Sequence, residues 1–280
     1  MIEISRLESI FSIYQPASEL SRWRSGALDG PVSVELNSLL TLGLEWWERS
    51  DGVFNPLVGT LTDRWRRAEA EQIVPSPDEL ADLAGLIREP SYAVAVDGPR
   101  PTRDCSTLNF NALAKGLLID LAVDAVTADY DLRTLVVNIG GDLLHRGEGA
   151  SAVHVEDPRR PYDNASPVDT VHISNAGLAT SGLTKRGVRI AGRWFSHVID
   201  PRNGWPVDQI ASASVICPSA AIADVVATIA SVLPPTDSLN VIASLPDPCG
   251  CLVVTPDGSA MTNHVWDAAR PQPSRGPLAD

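Results

Sequence analysis

The sequence predicts an α+β protein, a single compact domain of mixed sheets with packed helices. Three observations carry this. Helix-spaced apolar runs and short β-branched runs are interspersed, but not as a regular βα repeat. No composition break marks a linker, and no repeat of fixed period occurs. The 280 residues are 44% hydrophobic and 20% charged, which suits a globular chain with a sizeable core rather than a disordered or fibrous one.

The elements follow in chain order. Leu7 to Tyr14 mixes apolar and polar residues like the end of an amphipathic helix. Ser33 to Arg49 reads as a helix, with Val34, Leu36, Leu39, Leu40, Leu42, Leu44, Trp46 and Trp47 as its helix-spaced apolar positions, ended by Ser50-Asp51-Gly52. Leu61 to Ala70 reads as another. At Ser76-Pro77-Asp78-Glu79 a cap residue, a first-turn proline and first-turn acids start a short third helix. Tyr92 to Val96 reads as a strand.

Ala112 to Thr127 is a helix with Leu113, Leu117, Leu121 and Ala125 in one stripe. Leu135 to Ile139 reads as a buried strand running into Gly140-Gly141-Asp142. Val153–Val155 and Val171–Ile173 alternate as strands. Val188–Ile190 and Trp194–Val198 form a hairpin around Ala191-Gly192, and Ala213–Cys217 is a strand. Ser219 then caps a helix from Ala220 to Leu233. Val241–Leu245 and Gly250–Thr255 are further apolar runs, with Leu252–Thr255 the surer strand. Ala268 to Asp280 is rich in Pro, Ser and Ala with little to bury, so the domain is expected over 1–266 and a flexible tail over 267–280.

Composition also limits partners and place. The 22 Lys+Arg against 35 Asp+Glu give a net charge of -13, with no basic run, which argues against nucleic acid and against docking on an anionic membrane. No apolar stretch is long enough to insert in a membrane; the nearest, Ala211 to Leu233, is interrupted by Pro218 and Asp224. The N-terminus lacks the basic and apolar regions of a secretory signal. Cys105, Cys217, Cys249 and Cys251 are too few and too irregularly spaced to staple the chain, and Cys249-Gly250-Cys251 is not a CxxC pair. Reduced thiols and a cytoplasmic protein are expected.

Several constellations could carry chemistry. Asp224 and Thr228 lie four residues apart and share a face of an otherwise apolar helix. A polar stripe that narrow either meets water or is buried, and a buried carboxylate needs a cation or strong donors. A hard cation such as Mg²⁺ suits carboxylate, hydroxyl and carbonyl oxygens. Gly140-Gly141 after a strand allows close backbone approach to a ligand, yet is also what an ordinary turn uses. His197 in Ser196-His197-Val198 and the small hydroxyls Thr180-Ser181 are each as compatible with structure as with function. Lys115 on a largely apolar helix could hold a phosphate or reach solvent.

Their order along one chain is more specific. The stretches from Phe11 to Ser21, Asp51 to Gly59, Ala114-Lys115-Gly116, Val137 to Asp142, Thr180-Ser181-Gly182, Ser196 to Pro206 and Ala223 to Thr228 together resemble the ApbE family, the FAD:protein FMN transferases or flavin transferases, over roughly residues 7 to 255. The resemblance implies an ApbE-like, T-fold-related domain. It implies FAD as substrate or bound ligand, Mg²⁺ as cofactor, and an acceptor flavoprotein or redox protein as partner. The reaction would move FMN onto a Thr or Ser hydroxyl and release AMP. FAD hydrolysis to FMN and AMP, or flavin binding without catalysis, are the alternatives.

By the same resemblance Asp224 and Thr228 are metal ligands, and Ala112 and Ala227 give further oxygens. His197 deprotonates the acceptor hydroxyl, for which an imidazole is suited. Tyr14, Val53, Phe54, Asn55, Asn109, Lys115, Gly140, Gly141, Thr180, Ser181 and Val198 fall at flavin- or nucleotide-contacting positions. The chain departs from the pattern in three ways. It starts after the family's first strand. Asn109 and Asn55 stand where the family has aspartates, so acceptors are kept and charge is lost. A family asparagine is replaced around Trp23-Arg24.

Overall fold

The computed structural model describes residues 2–160, 165–182 and 186–271. Its first half is mostly helical: α1 (Ile2–Phe11), α2 (Glu19–Arg24), α3 (Val34–Arg49), α4 (Gly59–Glu71) and α5 (Pro77–Leu86) precede a small hairpin, β1 (Tyr92–Ala95) and β2 (Gly98–Pro101). Capping follows the sequence closely. The Ser33 and Ser76 hydroxyls accept from the Leu36 and Glu79 amides at 3.1 and 3.2 Å, and Pro77 opens α5.

The second half holds α6 (Asn111–Asp129), β3 (Thr134–Ile139), β4 (Asp142–Gly147), β5 (Ser151–Val155), β6 (Asp169–Ile173), β7 (Gly177–Gly182), β8 (Gly187–Ile190), β9 (Arg193–Ser196), β10 (Ser212–Cys217), α7 (Ala220–Val232), α8 (Pro235–Ala243), β11 (Gly250–Val254), β12 (Ala260–Thr262) and α9 (His264–Ala269). The main sheet runs β12-β11-β10-β7-β4-β3, and every strand pairing among the described residues is antiparallel.

Strand alternation sorts the core into two layers. Ala179, Ala213, Val215, Cys251 and Val253 face the helices and join one cluster with α3, α6 and α7. Leu143, Leu178, Ile216, Leu252 and Val254 face the other way, onto Val155, Val171 and Ile173 of the β5–β6 hairpin and Trp266 of α9. Helices therefore cover one face of the sheet, and a hairpin with a short helix covers the other.

Several expectations need correction. Leu135–Ile139 is not a buried strand: β3 is the sheet's edge, and its outward Val136 is 45% exposed while Leu135, Val137 and Ile139 lean on α6. An edge strand has one covered face, and an apolar run alone does not say which position a strand takes. Val241–Leu245 closes α8 rather than forming a strand, because Pro234-Pro235 opens a helix there.

The cysteines also differ from expectation. Cys217 and Cys249 form a disulfide, while Cys105 and Cys251 are free and buried. Antiparallel pairing of β10 with β11 brings Cys217 opposite Cys249, a proximity that spacing along the chain did not reveal. Residues 267–270 are not tail. Trp266 of α9 is fully buried, and Arg270 pairs with Asp169 at 2.7 Å. Residues 272–280 of the expected tail lie outside the described residues. No helix among the described residues is long and apolar enough to cross a membrane.

Candidate active site

The site begins with two close approaches that only glycine allows. A Cβ on Gly116 of α6 would stand 2.3 Å from the Ala220 carbonyl oxygen, and one on Gly177 would stand 2.7 Å from the Ala220 amide nitrogen. Glycine at both positions lets the start of α7 press between α6 and β7. Asp120, one turn beyond Gly116, then caps α7 from outside the helix. Its carboxylate accepts from the Ser219 hydroxyl at 2.7 Å and from the Ala220 and Ala221 amides at 2.9 Å each. Nothing in the sequence singled Asp120 out. A carboxylate four residues after a glycine on a helix is a common pattern, and only packing gives it this role.

With α7 locked, Asp224 faces α6. Its Oδ2 accepts the Gly116 amide at 3.3 Å, and the residue is buried. Burial, reinforced by the neighbouring Asp142 charge, pushes its pKa up to about 8. The Asp224 side chain is therefore not a stripe meeting water. Thr228 follows one turn later and is half-buried; its carbonyl accepts from Ser231 at 2.8 Å.

The β3–β4 hairpin delivers the second carboxylate. Gly140 and Gly141 have φ of 62° and 98°, and Ile139 pairs with Asp142, the signature of a two-residue type I′ turn. The Gly141 amide is satisfied by the Asn138 side chain at 3.2 Å. Asp142 is 1% exposed and sits 2.7 Å from the Lys115 ammonium, a contact close but poorly directed as a hydrogen bond. Burial raises the Asp142 pKa, while Lys115 and the Thr180 amide oppose the rise. Burial pulls the Lys115 ammonium down, but Asp224 and Asp142 together hold it above the ordinary lysine range. Two buried carboxylates thus share one ammonium.

His197 is exposed at the end of β9. Its backbone amide donates to the Arg186 carbonyl at 3.2 Å, and its Nδ1 lies 3.1 Å from the same oxygen. Desolvation, with the Arg186 charge adding to it, lowers the imidazole pKa. Arg186 also acts on Lys115, so its charge reaches both centres.

A family model described as the ApbE family matches residues 1–253. The chain belongs to the ApbE family. A protein named "FAD:protein FMN transferase" from Treponema pallidum is 28% identical over 274 residues, covering 91% of this chain and 75% of that protein. One with the same name from Rhodobacter capsulatus is 30% identical, covering 81% of this chain and 44% of that one. The fold agrees with the ApbE protein of Thermotoga maritima at a TM-score of 0.82 and 22% identity, over 97% of this chain and 89% of that one. It agrees with the flavinyl transferase ApbE of Pseudomonas stutzeri, apo form, at 0.77 and 21% identity, over 96% and 86%.

Apart from His197, which contacts the Arg186 carbonyl, the residues singled out by the ApbE resemblance divide into two groups. Lys115, Gly140, Gly141, Asp224 and Thr228 gather where α6, α7 and the β3–β4 turn meet; a Cβ on Gly140 would lie 3.9 Å from Lys115 Cδ. Asp142, absent from the expected set, lies at their centre. The sequence could have flagged it, since a strand's first residue after Gly-Gly is fixed in orientation. Tyr14 is 72% exposed, and its hydroxyl accepts from the Asn111 amide group at 2.9 Å at the start of α6. Asn109 is half-buried in the turn before α6; its carbonyl side chain takes the Asn111 amide at 3.0 Å.

The second group is spent on the fold. Val53, Phe54 and Val198 are buried in the core. Asn55 is buried with both amide ends on backbone: it accepts from Leu57 at 2.8 Å and donates to Ile87 at 2.9 Å. Such residues can shape a wall but do not present free side chains. Ser181 turns towards α7 and meets Ser231 at 3.0 Å, whereas the Thr180 hydroxyl meets Ser214 at 2.8 Å, so the two point to opposite faces. Thr180 contributes its amide to Asp142 instead. Ala112 lies in the first turn of α6. Ala227 is fully buried inside α7, its carbonyl already within the helix ladder.

Proposed function

We propose that this protein moves FMN from FAD onto a Thr or Ser hydroxyl of a target protein and releases AMP. The observation that carries the reading is the buried Asp224 carboxylate, held on the Gly116 amide beside the Lys115–Asp142 pair. The names of the Treponema and Rhodobacter relatives support the same reaction.

The residues fit Mg²⁺. With both carboxyls ionised, Asp224 and Asp142 against one ammonium leave the cluster short of positive charge, which is part of what raises the Asp224 pKa, and the donors are oxygens. Among the described residues no group of three or more His, Cys, Asp or Glu side chains gathers, so hydroxyl and main-chain oxygens would complete the set. Asp224 and Thr228 would hold the ion; by the family resemblance Ala112 and Ala227 would add carbonyl oxygens, each through the lone pair its helix hydrogen bond leaves unused. Bound there, it would polarise a phosphoryl oxygen as a Lewis acid.

The chain's own residues do the rest. Lys115 offsets pyrophosphate charge. His197, neutral at physiological pH because its pKa is lowered, takes the acceptor hydroxyl proton. The acceptor oxygen bonds to the FMN phosphorus, the bond from that phosphorus to the bridging oxygen breaks, and AMP leaves with the electron pair.

The test is incubation with FAD, Mg²⁺ and a candidate acceptor domain, followed by in-gel flavin fluorescence after denaturation. Covalent flavin that disappears in Asp224→Ala is expected. No covalent flavin under any metal condition would overturn the reading, and free FMN with AMP would select the diphosphatase alternative. The compartment is open to the same treatment. The thiol count pointed to the cytoplasm, but the Cys217–Cys249 disulfide is what an oxidising compartment preserves. Thiol trapping in the native cell decides.

A further inference from the structure

The β8–β9 hairpin carries a charge opposite to that of the protein. Between residues 186 and 202 lie four arginines and one aspartate, in a chain of net charge -13. They are spaced, so no basic run shows in the sequence. Arg202 spends its charge on Asp200 at 2.8 Å. Arg186, Arg189 and Arg193 are exposed and make no ion pair among the described residues. Glu69 touches the hairpin through the main chain, its Oε1 taking the Arg189 amide at 2.9 Å.

An aromatic platform lies beside Arg189, whereas Arg193 stands on the opposite face, in register with Ile190 and with its guanidinium 5.1 Å from the Phe195 ring centroid. Trp194 is 45% exposed, pairs in register with Arg189, and has that guanidinium 5.8 Å from its ring centroid. A Cβ on Gly187 would lie 2.7 Å from Trp194 Cζ2, so the indole lies across Gly187 towards Arg186. Arg186 is the residue whose carbonyl holds His197. The open end of the hairpin, rather than one face of it, therefore adjoins the proposed base.

The hairpin is also held firmly. Ala191 and Gly192 have φ of 47° and 80°, as a type I′ turn requires. Its other face is anchored by Ile190, fully buried, and by Phe195, whose ring centroid lies 4.9 Å from that of Trp65.

We propose that this hairpin face docks an acidic segment of the acceptor protein and so presents its hydroxyl to His197. The proposal rests on the transferase reading for the acceptor's being a protein. Arginine forks match carboxylates, and an exposed, pre-placed tryptophan beside them supplies the apolar anchor that protein interfaces favour. A protein of this net charge repels an acidic partner elsewhere, so a local cationic face also fixes the orientation of approach. The same overall charge disfavours nucleic acid and anionic lipid, which need cations over a wider surface.

The experiment measures binding, by fluorescence anisotropy, of two short synthetic peptides to the FAD-loaded protein. Both centre on one Thr beside a Leu; one has Asp and Glu flanks, the other Lys. The acidic peptide is expected to bind about tenfold more tightly at low salt, with the gap closing at high salt. The Arg189→Glu variant should lose the preference, and Trp194→Ala should weaken binding of both peptides. FAD titration and thermal unfolding should stay unchanged in both variants. Equal binding of the two peptides, an unchanged Arg189→Glu variant, or binding of phosphatidylglycerol vesicles in place of the acidic peptide would overturn the proposal. Covalent labelling without charge preference would sink docking alone. Charge-selective binding without any covalent flavin would sink the transferase reading alone.

Discussion

Lys115 Nζ lies 2.7 Å from Asp142 Oδ2, and this contact ties the first half of α6 to the first residue of β4. Asp142 is the more buried partner, with 2% of its side chain exposed against 36% for Lys115. The lysine can turn to solvent or to a phosphate, while the aspartate cannot leave. On the proposed reading Asp142 positions Lys115, and Lys115 is the one free to meet substrate.

Asp142→Asn tests that relationship. It removes one of two crowded carboxylates as well as the lysine's partner, so the effects oppose. Lys115 is partly exposed, which reduces the cost of unpairing it, and a net loss of about 1–3 kcal/mol is expected in urea unfolding. In the transfer assay KM for FAD should rise more than kcat falls, because the lysine's placement is lost and the chemistry is not. An unchanged KM would remove the positioning role.

Gly116→Ala should destabilise the protein although it improves helix propensity. The propensity gain is about 1 kcal/mol. Against it, the new Cβ would stand 2.3 Å from a main-chain oxygen of α7, which cannot yield as a side chain would. A net loss of about 1–3 kcal/mol follows from overpacking. Moving α7 also moves Asp224, so metal affinity should fall in a Mg²⁺ titration followed by thermal shift. A more stable Gly116→Ala protein would refute the close approach.

His197 sets a pH limit. Its folded pKa is lowered by desolvation and by Arg186, so the neutral ring persists below the ordinary histidine range. The unfolded state binds this proton first as pH falls. The contribution to stability is therefore complete above about pH 6.5 and is lost as pH drops through the folded value. Transfer should follow the same direction, active at neutral pH and falling in acid as the base protonates. His197→Gln should lower the rate and flatten the acid limb. A wild-type acid limb retained in the variant would assign it to another group.

Reducing the Cys217–Cys249 disulfide should loosen the β10–β11 end of the sheet. The bridge closes a segment with a sequence separation of 32, for which the loop-entropy estimate is about 3–4 kcal/mol. A Cys217→Ser/Cys249→Ser variant should show a lower urea midpoint than the oxidised protein and match the reduced one. Identical midpoints with and without reductant would exclude the bridge in solution.

The sequence by itself determined α3, α4, α5, α6 and α7, but not α2, α8 or α9. Ser76 and Ser219 cap the helices expected of them, because capping and helical spacing are local properties of a few adjacent residues. It also marked Asp224 as unusual, since a carboxylate on an almost wholly apolar helix is a conflict visible without coordinates. The tertiary structure alone decided how that conflict is resolved. Gly116 and Gly177 bring α7 against α6 and β7, Asp120 caps it across a sequence distance of about a hundred residues, and the Gly140-Gly141 turn delivers Asp142 to Lys115. It also decided that β3 is an edge, that Cys217 meets Cys249, and that Val53, Phe54 and Asn55 are spent on the core. These depend on which strand pairs with which and which face of an element is covered. Those are energies of contact between distant segments, and no local pattern encodes them.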